Sequence, residues 1–369
     1  MQKVLFIFGT RPEAIKLAPL IKKMKKNKRK FDVHVCVTGQ HREMLDQVLH
    51  FFDIVPDFDL HIMKKNQSLT KLTARIVSDL ESIFTTVNPD RVIVQGDTTS
   101  AYAGALVAYY HKIKIAYVED GLRSGDRYAP FPEEVNRKMI SQLADFHFTP
   151  TTLAASNLYN EGIKENVSIV GNTVIDALFM GLETVKKNEE KYVQFFDFID
   201  FSKKIILVTG HRRENFGKPL ENVCVALKEI ARRDDVQVVY PVHMNPHISK
   251  PVYNLLGKSS DIHLIEPLDY PFLLWLMNKS YFIITDSGGI QEEAPSLHKP
   301  LLVTRDVTER IEGIKAGTAK LVGTDTKKIV SEATTLLTNQ KKYKIMSSVP
   351  NPYGDGHASE KIIHILQNT

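Results

Sequence analysis

The chain has 369 residues, 43% hydrophobic and 25% charged, which is too long for a single core, comfortable for two α/β domains, and too apolar for a disordered chain. Its formal net charge of +5 rests on one basic run, Lys22, Lys23, Lys25, Lys26, Lys28, Arg29 and Lys30. This run reads as the solvated end of a helix and argues against a nucleic-acid partner. No apolar stretch approaches the roughly 20 residues of a spanning helix and no signal-peptide pattern opens the chain. A cytoplasmic protein without membrane insertion is therefore expected. Cys36 and Cys224 offer neither a disulfide framework nor metal-ligand spacing and read as core residues.

In chain order, β-branched runs at 3–8, 33–37, 91–95, 114–118, 146–148 and 167–170 alternate with amphipathic helical stretches, and the count restarts at 204–209, 236–240, 262–265, 281–285, 301–303 and 319–322. This alternation predicts βαβ units and two Rossmann-like, doubly wound parallel sheets in an α/β fold. The predicted boundaries are 1–169 for the first domain, 170–352 for the second, and 353–369 for a helix returning to the first. After the first strand, Gly9 permits a sharp turn and Pro12 suits the first helical position. Ala14, Leu17, Ile21 and Met24 then share a helix face, with Pro19 predicting a kink. Downstream, Asp286-Ser287-Gly288-Gly289-Ile290-Gln291-Glu292-Glu293 repeats the strand, turn and helix. Both turns are predicted to hold phosphate through bare N–H groups at a helix mouth.

Doubly wound sheets bind ligands outside the carboxyl ends of their strands. In the first half those ends present Gly9-Thr10-Arg11, Gly96-Asp97-Thr98-Thr99 and Glu119-Asp120-Gly121, joined by Lys16 and by Glu133 and Glu134 from a Pro-flanked loop. Asp97, Glu119 and Glu133 form a candidate carboxylate cluster, against the alternative that Asp97 caps the following helix. In the second half, His211 beside Arg212 and Arg213 suits an anion or a general acid, against a structural histidine. Glu293 suits a pair of ribose hydroxyls, against a carboxylate merely favoured near a helix N-terminus. Arg305 and Arg310 among Asp306 and Glu309 read as surface ion pairing. Absence of Gly-x-Gly-x-x-Gly after the first strand and of a P-loop argues against dinucleotides and ATP hydrolysis, and the histidines lack metal spacing. A phosphate-bearing substrate handled without a cofactor remains.

The strings Gly9 to Lys16, Gln40-His41-Arg42, Gly96 to Thr99, Gly121-Leu122-Arg123, Pro132-Glu133-Glu134, Gly210 to Glu214, Asp286 to Pro295, Thr308-Glu309-Arg310 and Asn351 to Gly356, in this order, resemble the non-hydrolysing UDP-N-acetylglucosamine 2-epimerases from end to end. That resemblance implies a dimeric protein of glycosyltransferase-B type, its two domains facing a central cleft, that interconverts UDP-GlcNAc and UDP-ManNAc without NAD. It implies acid/base roles for Asp97, Glu119 and Glu133, and contacts to the diphosphate from Arg11, Lys16 and His211. Phosphate would be held by Ser287, Gly288 and Gly289, ribose by Glu293, and the nucleotide pocket closed by Arg310, with Phe272 near the base. It further implies a UDP-GlcNAc activator at Gln40, His41, Gln67 and His243, with Asn66 where relatives often carry Arg. Three departures stand out: Asp120 for a usual Ala, Ile311 for a usual Pro, and Leu268 for a usual Gln. Asp120 is expected to share a proton with Glu119. The alternatives are a 2-epimerase of another UDP-2-acetamido sugar, a glycosyltransferase of the same build, and a non-catalytic UDP-sugar sensor.

Overall fold

The computed structural model describes residues 1–39, 42–63 and 67–369. Among them the chain forms two units, residues 1–180 with 353–369, and residues 181–352. In the first, strands β1 (Gln2–Phe8), β2 (Phe31–Val37), β3 (Phe58–Asp59), β4 (Arg91–Gln95), β5 (Lys114–Val118), β6 (Phe146–Thr149) and β7 (Val167–Ile169) form a parallel sheet ordered β3-β2-β1-β4-β5-β6-β7. In the second, β8 (Lys204–Thr209), β9 (Val236–Pro241), β10 (Ile262–Ile265), β11 (Phe282–Thr285), β12 (Leu301–Val303) and β13 (Ala319–Leu321) run parallel in the order β10-β9-β8-β11-β12-β13. Both doubly wound sheets are as anticipated. The edge strand β3, two residues long beside Pro56, is too short for any period to announce.

Helices cover both sheet faces, so the central strands are apolar throughout. Val4 to Phe8 are wholly buried, and Ile205 to Val208 nearly so. The order of each sheet reverses once, between β1 and β4 in the first and between β8 and β11 in the second. Connections leaving those neighbours diverge and leave a crevice at the strand ends. Gly9 and Asp97 lie there in the first unit, His211 and Asp286 in the second.

The helix Arg11–Lys26 runs without interruption through buried Pro19. The domain boundary, expected at 169/170, falls instead between Met180 and Gly181, inside the helix Thr173–Lys187. The first half of that helix buries Val174, Ile175, Ala177 and Leu178. Its Asp176 accepts the N–H groups of Ala358 and Ser359 at 3.1 and 2.8 Å, which ties it to the C-terminal helix Ala358–Gln367 of the same unit. That helix buries Ile362 and Leu366 and packs on Arg11–Lys26. Cys36 and Cys224 are both buried.

Candidate functional site

In the first unit, Glu119 leaves β5 with a left-handed φ of 65°, a conformation that costs a non-glycine residue energy unless its surroundings hold it. They do: Lys16 Nζ and Asn172 Nδ2 donate to Oε1, the latter at 3.0 Å, and Gln95 Nε2 donates to Oε2. The next side chain therefore turns away. Asp120 is wholly buried and accepts from Gly121 N at 2.6 Å and Ser141 Oγ at 2.5 Å, with His147 Nδ1 at 2.7 Å. The proton-sharing pair expected of Glu119 and Asp120 does not form, because each carboxylate has its own separate set of partners.

Asp97 follows β4, the neighbour of β5. It does not cap the next helix, a job done by Thr98, whose side chain accepts the Ala101 N–H. The Asp97 carboxylate instead takes Arg137 Nε and Nη2 at 2.9 and 2.5 Å, and Arg137 also reaches Glu134 at 3.0 Å. Glu134 is buried by that contact and by the N–H groups of Ser124 and Gly125. Glu133, the first residue of the helix Glu133–Leu143, differs: its Oε2 is buried with no hydrogen-bond partner among the described residues.

The turn after β1 departs from expectation. Glu13 is 2% exposed, and its Oε2 accepts both the Gly9 N–H at 2.9 Å and the Thr10 N–H at 2.7 Å. The N–H groups predicted to hold phosphate are thus already spent. Thr10-x-x-Glu13 is a capping-box spacing, a signal present in the sequence but passed over. Oε1 meets the Thr98 hydroxyl at 2.5 Å, which joins this turn to the one carrying Asp97. Burial outweighs these hydrogen bonds and pushes the Glu13 carboxyl up to about 7. Gly9 is also sterically required, since a Cβ there would lie 2.1 Å from Thr38 Oγ1 and 2.4 Å from Ser100 Oγ. Arg11 and Lys16 sit at the start of the following helix. Lys16 is committed to Glu119, whereas Arg11 has no side-chain partner among the described residues.

In the second unit, Ser287 stands at the N-cap position of the short helix Gly288–Glu293, its side chain making no capping bond. Its own N–H is taken by Thr285 Oγ1 at 2.9 Å, while the N–H groups of Gly288 and Gly289 stand at the helix start, where no preceding turn supplies an acceptor. The Arg310 guanidinium lies against Gly288, 3.2 Å from where a Cβ would stand. Glu292, 2% exposed, holds that guanidinium through Nε at 2.9 Å and Nη2 at 2.8 Å. Glu293 accepts from the buried Tyr270 hydroxyl at 2.8 Å. Arg305 is 7% exposed, so the surface pairing expected of it holds on the carboxylate side only: the buried guanidinium reaches the exposed Glu214 at 2.6 Å and Glu309 at 2.8 Å. Burial alone would raise the Glu309 carboxyl, but Arg305 overrides it and holds Glu309 down at about 2.

The structure brings together two histidines that the sequence assigned to separate sites. His211 and His243 stack with ring centroids 6.2 Å apart. Phe272 is drawn into an aromatic cluster, 4.5 Å from Phe195 and 5.0 Å from Tyr192, an arrangement that sequence spacing could not reveal. Gln67 precedes the cap of the helix Leu69–Val87. Gln40, His41 and Asn66 lie outside the described residues. Gln95, Asn172, Arg137 and Glu292 are the partners that the sequence reading missed, since each is brought to its carboxylate or guanidinium from a distant or differently facing element.

Two Rossmann-like parallel sheets, with acidic residues at the switch point of one and a glycine-rich helix start at that of the other, define an α/β protein of glycosyltransferase-B-like fold. Residues 22–367 match the family model described as UDP-N-acetylglucosamine 2-epimerase. The chain is 51% identical over 371 residues to the UDP-N-acetylglucosamine 2-epimerase of Escherichia coli strain K12, covering 99% of this chain and 98% of that protein. It is 52% identical over 374 residues to the enzyme of the same name from Campylobacter jejuni, covering 99% and 97%. The crystal structure of UDP-GlcNAc 2-epimerase from Neisseria meningitidis bound to UDP-GlcNAc superposes over all of both chains, with a TM-score of 0.92 at 47% identity. The chain belongs to the UDP-N-acetylglucosamine 2-epimerase family.

Proposed function

We propose that this chain interconverts UDP-GlcNAc and UDP-ManNAc by elimination and re-addition of UDP. The C2 hydrogen is not adjacent to a carbonyl, so simple abstraction would leave an unstabilised carbanion. Elimination avoids it. A carboxylate takes the C2 proton, the C2–H electron pair becomes the C1=C2 double bond, and the C1–O bond breaks with its pair leaving on UDP. UDP then returns to C1 of the 2-acetamidoglucal while a second acid delivers a proton to the opposite face of C2.

The observation that carries this reading is the unequal treatment of the acidic groups. Glu119 is fixed by Lys16, Gln95 and Asn172 and Asp97 by Arg137, while Glu133 keeps a buried oxygen with no partner among the described residues. The unengaged oxygen of Glu133 suits a group that must exchange a proton. Arg11, Lys16 and His211 would meet the charge that builds on the departing diphosphate. Ser287, Gly288, Gly289 and Arg310 would hold it, and Glu293 the ribose. A homodimer, and a UDP-GlcNAc activator contacting Gln67 and His243, belong to the same proposal. The stacking of His243 on His211 gives such an activator a route to the reacting groups.

The test is proton NMR of UDP-GlcNAc with the protein in deuterated water. A new UDP-ManNAc anomeric signal, with deuterium entering C2 of both sugars, is expected. Absence of both after prolonged incubation would reject the reading. Turnover of 6-deoxy or uronic UDP-2-acetamido sugars in preference to UDP-GlcNAc would move it to a different substrate.

A further inference from the structure

We infer that Asp286, to which the reaction scheme above gives no part, is a positioning residue that aims His211 and keeps its ring protonated; this rests on the assignment of His211 to the departing diphosphate. Asp286 follows β11 at the switch point of the second sheet and is 1% exposed. A carboxylate so deeply buried is costly unless donors surround it. Here one loop supplies them. The His211 N–H lies 3.1 and 3.0 Å from the two carboxylate oxygens, the Arg212 N–H 2.9 Å and Asn215 Nδ2 3.2 Å from Oδ2. Asn215 also donates to Thr304 O at 3.1 Å, which fastens the same loop to the end of the next strand.

The His211 side chain faces this centre as well, with Nδ1 3.3 Å from Asp286 Oδ1. A carboxylate at Nδ1 decides which ring nitrogen faces away from it and favours the imidazolium over the neutral ring. Nε2–H is then the proton presented to an anion. Other groups near the ring among the described residues have different roles. His243, from the end of β9, stacks on it with its own Nδ1 accepting the Asn245 N–H at 3.1 Å. Arg212 and Arg213 are cations of the same loop, and Glu214 is engaged by Arg305 at 2.6 Å. Asp286 is the anion in position to offset them, and its backbone contacts set the angle of the loop that carries the ring.

The test compares Asp286→Asn, His211→Asn and the double variant for kcat and KM as a function of pH. Asp286→Asn is expected to lower kcat about 10- to 100-fold, the usual effect of removing an orienting partner, with a smaller change in KM. The basic limb of its pH profile should move to lower pH. The double variant should be no slower than His211→Asn, because Asp286 acts through that ring. Unchanged kcat and pH profile in Asp286→Asn, or a double variant slower than His211→Asn, would overturn the inference. Full kcat in His211→Asn, in which Asp286 is intact, would overturn the assignment of His211 itself, and so separates the two failures. If Asp286→Asn does not fold, nitrogen NMR of the unsubstituted protein decides. Both ring nitrogens of His211 protonated where an ordinary histidine is neutral supports the inference, and a neutral ring there overturns it.

Discussion

At Glu133 one carboxylate oxygen is buried with no hydrogen-bond partner among the described residues, whereas at Glu13 both oxygens are taken. The first predicts chemistry and the second predicts stability. Glu133→Gln should lower kcat by about 10²- to 10⁴-fold, the range for loss of a general acid or base, while the melting temperature stays close to that of the unsubstituted protein. Retained turnover would remove Glu133 from the mechanism. Glu13 titrates at about 7 when folded, against an ordinary value of 4.5, so between those values the folded chain binds more protons than the unfolded one. Stability therefore falls as pH rises through that window, by up to the order of 3 kcal/mol. Glu13→Gln should flatten this part of the stability curve, measured by urea unfolding at either end of the window. An unaltered slope would show that Glu13 does not carry it. Gly9→Ala, forced against Thr38 and Ser100, is expected to cost about 1–3 kcal/mol.

Between elements, buried and half-buried polar ties hold the loops that carry the candidate groups. Asp120 joins the end of β5 to His147 on β6 and to Ser141 on the helix Glu133–Leu143. Replacing it with Ala leaves the buried His147 Nδ1 without this partner, while the Ser141 hydroxyl keeps Arg137 O. A loss of about 1–3 kcal/mol is expected, read as a lower melting temperature, with a smaller effect on kcat than any change at Glu119. In the second unit, Arg305 ties Glu214 to Glu309. Glu309 titrates at about 2, below its ordinary 4.5, so its contribution is present above the ordinary value and is lost as pH falls toward 2. This is opposite in sign to that of Glu13. Arg305→Ala should therefore lower stability above the ordinary value and flatten the acid limb of the stability curve, and an acid limb identical to that of the unsubstituted protein would argue against the tie.

Across the whole molecule, the C-terminal helix Ala358–Gln367 is a structural part of the first unit, where Asp176 caps it and Arg91 Nη1 donates to Leu366 O at 3.0 Å. Truncation after Pro352 should lower one calorimetric transition and leave the one belonging to residues 181–352 in place. Much of this architecture was legible beforehand. Parallel strands buried on both faces are nearly continuous apolar runs, and periodicity, glycine turns and strand-end polar residues are all local properties. They determined two doubly wound sheets, the candidate residues Asp97, Glu119, Glu133 and His211, and the family resemblance. What each side chain touches was decided by the tertiary structure alone. That Asp120 points away from Glu119, that Phe272 joins an aromatic cluster and that Asp286 faces His211 depend on a left-handed backbone angle and on partners from distant elements. A hydrogen bond forms between groups that folding brings within about 3 Å, and for most of these pairs separation along the chain carries no record of that distance.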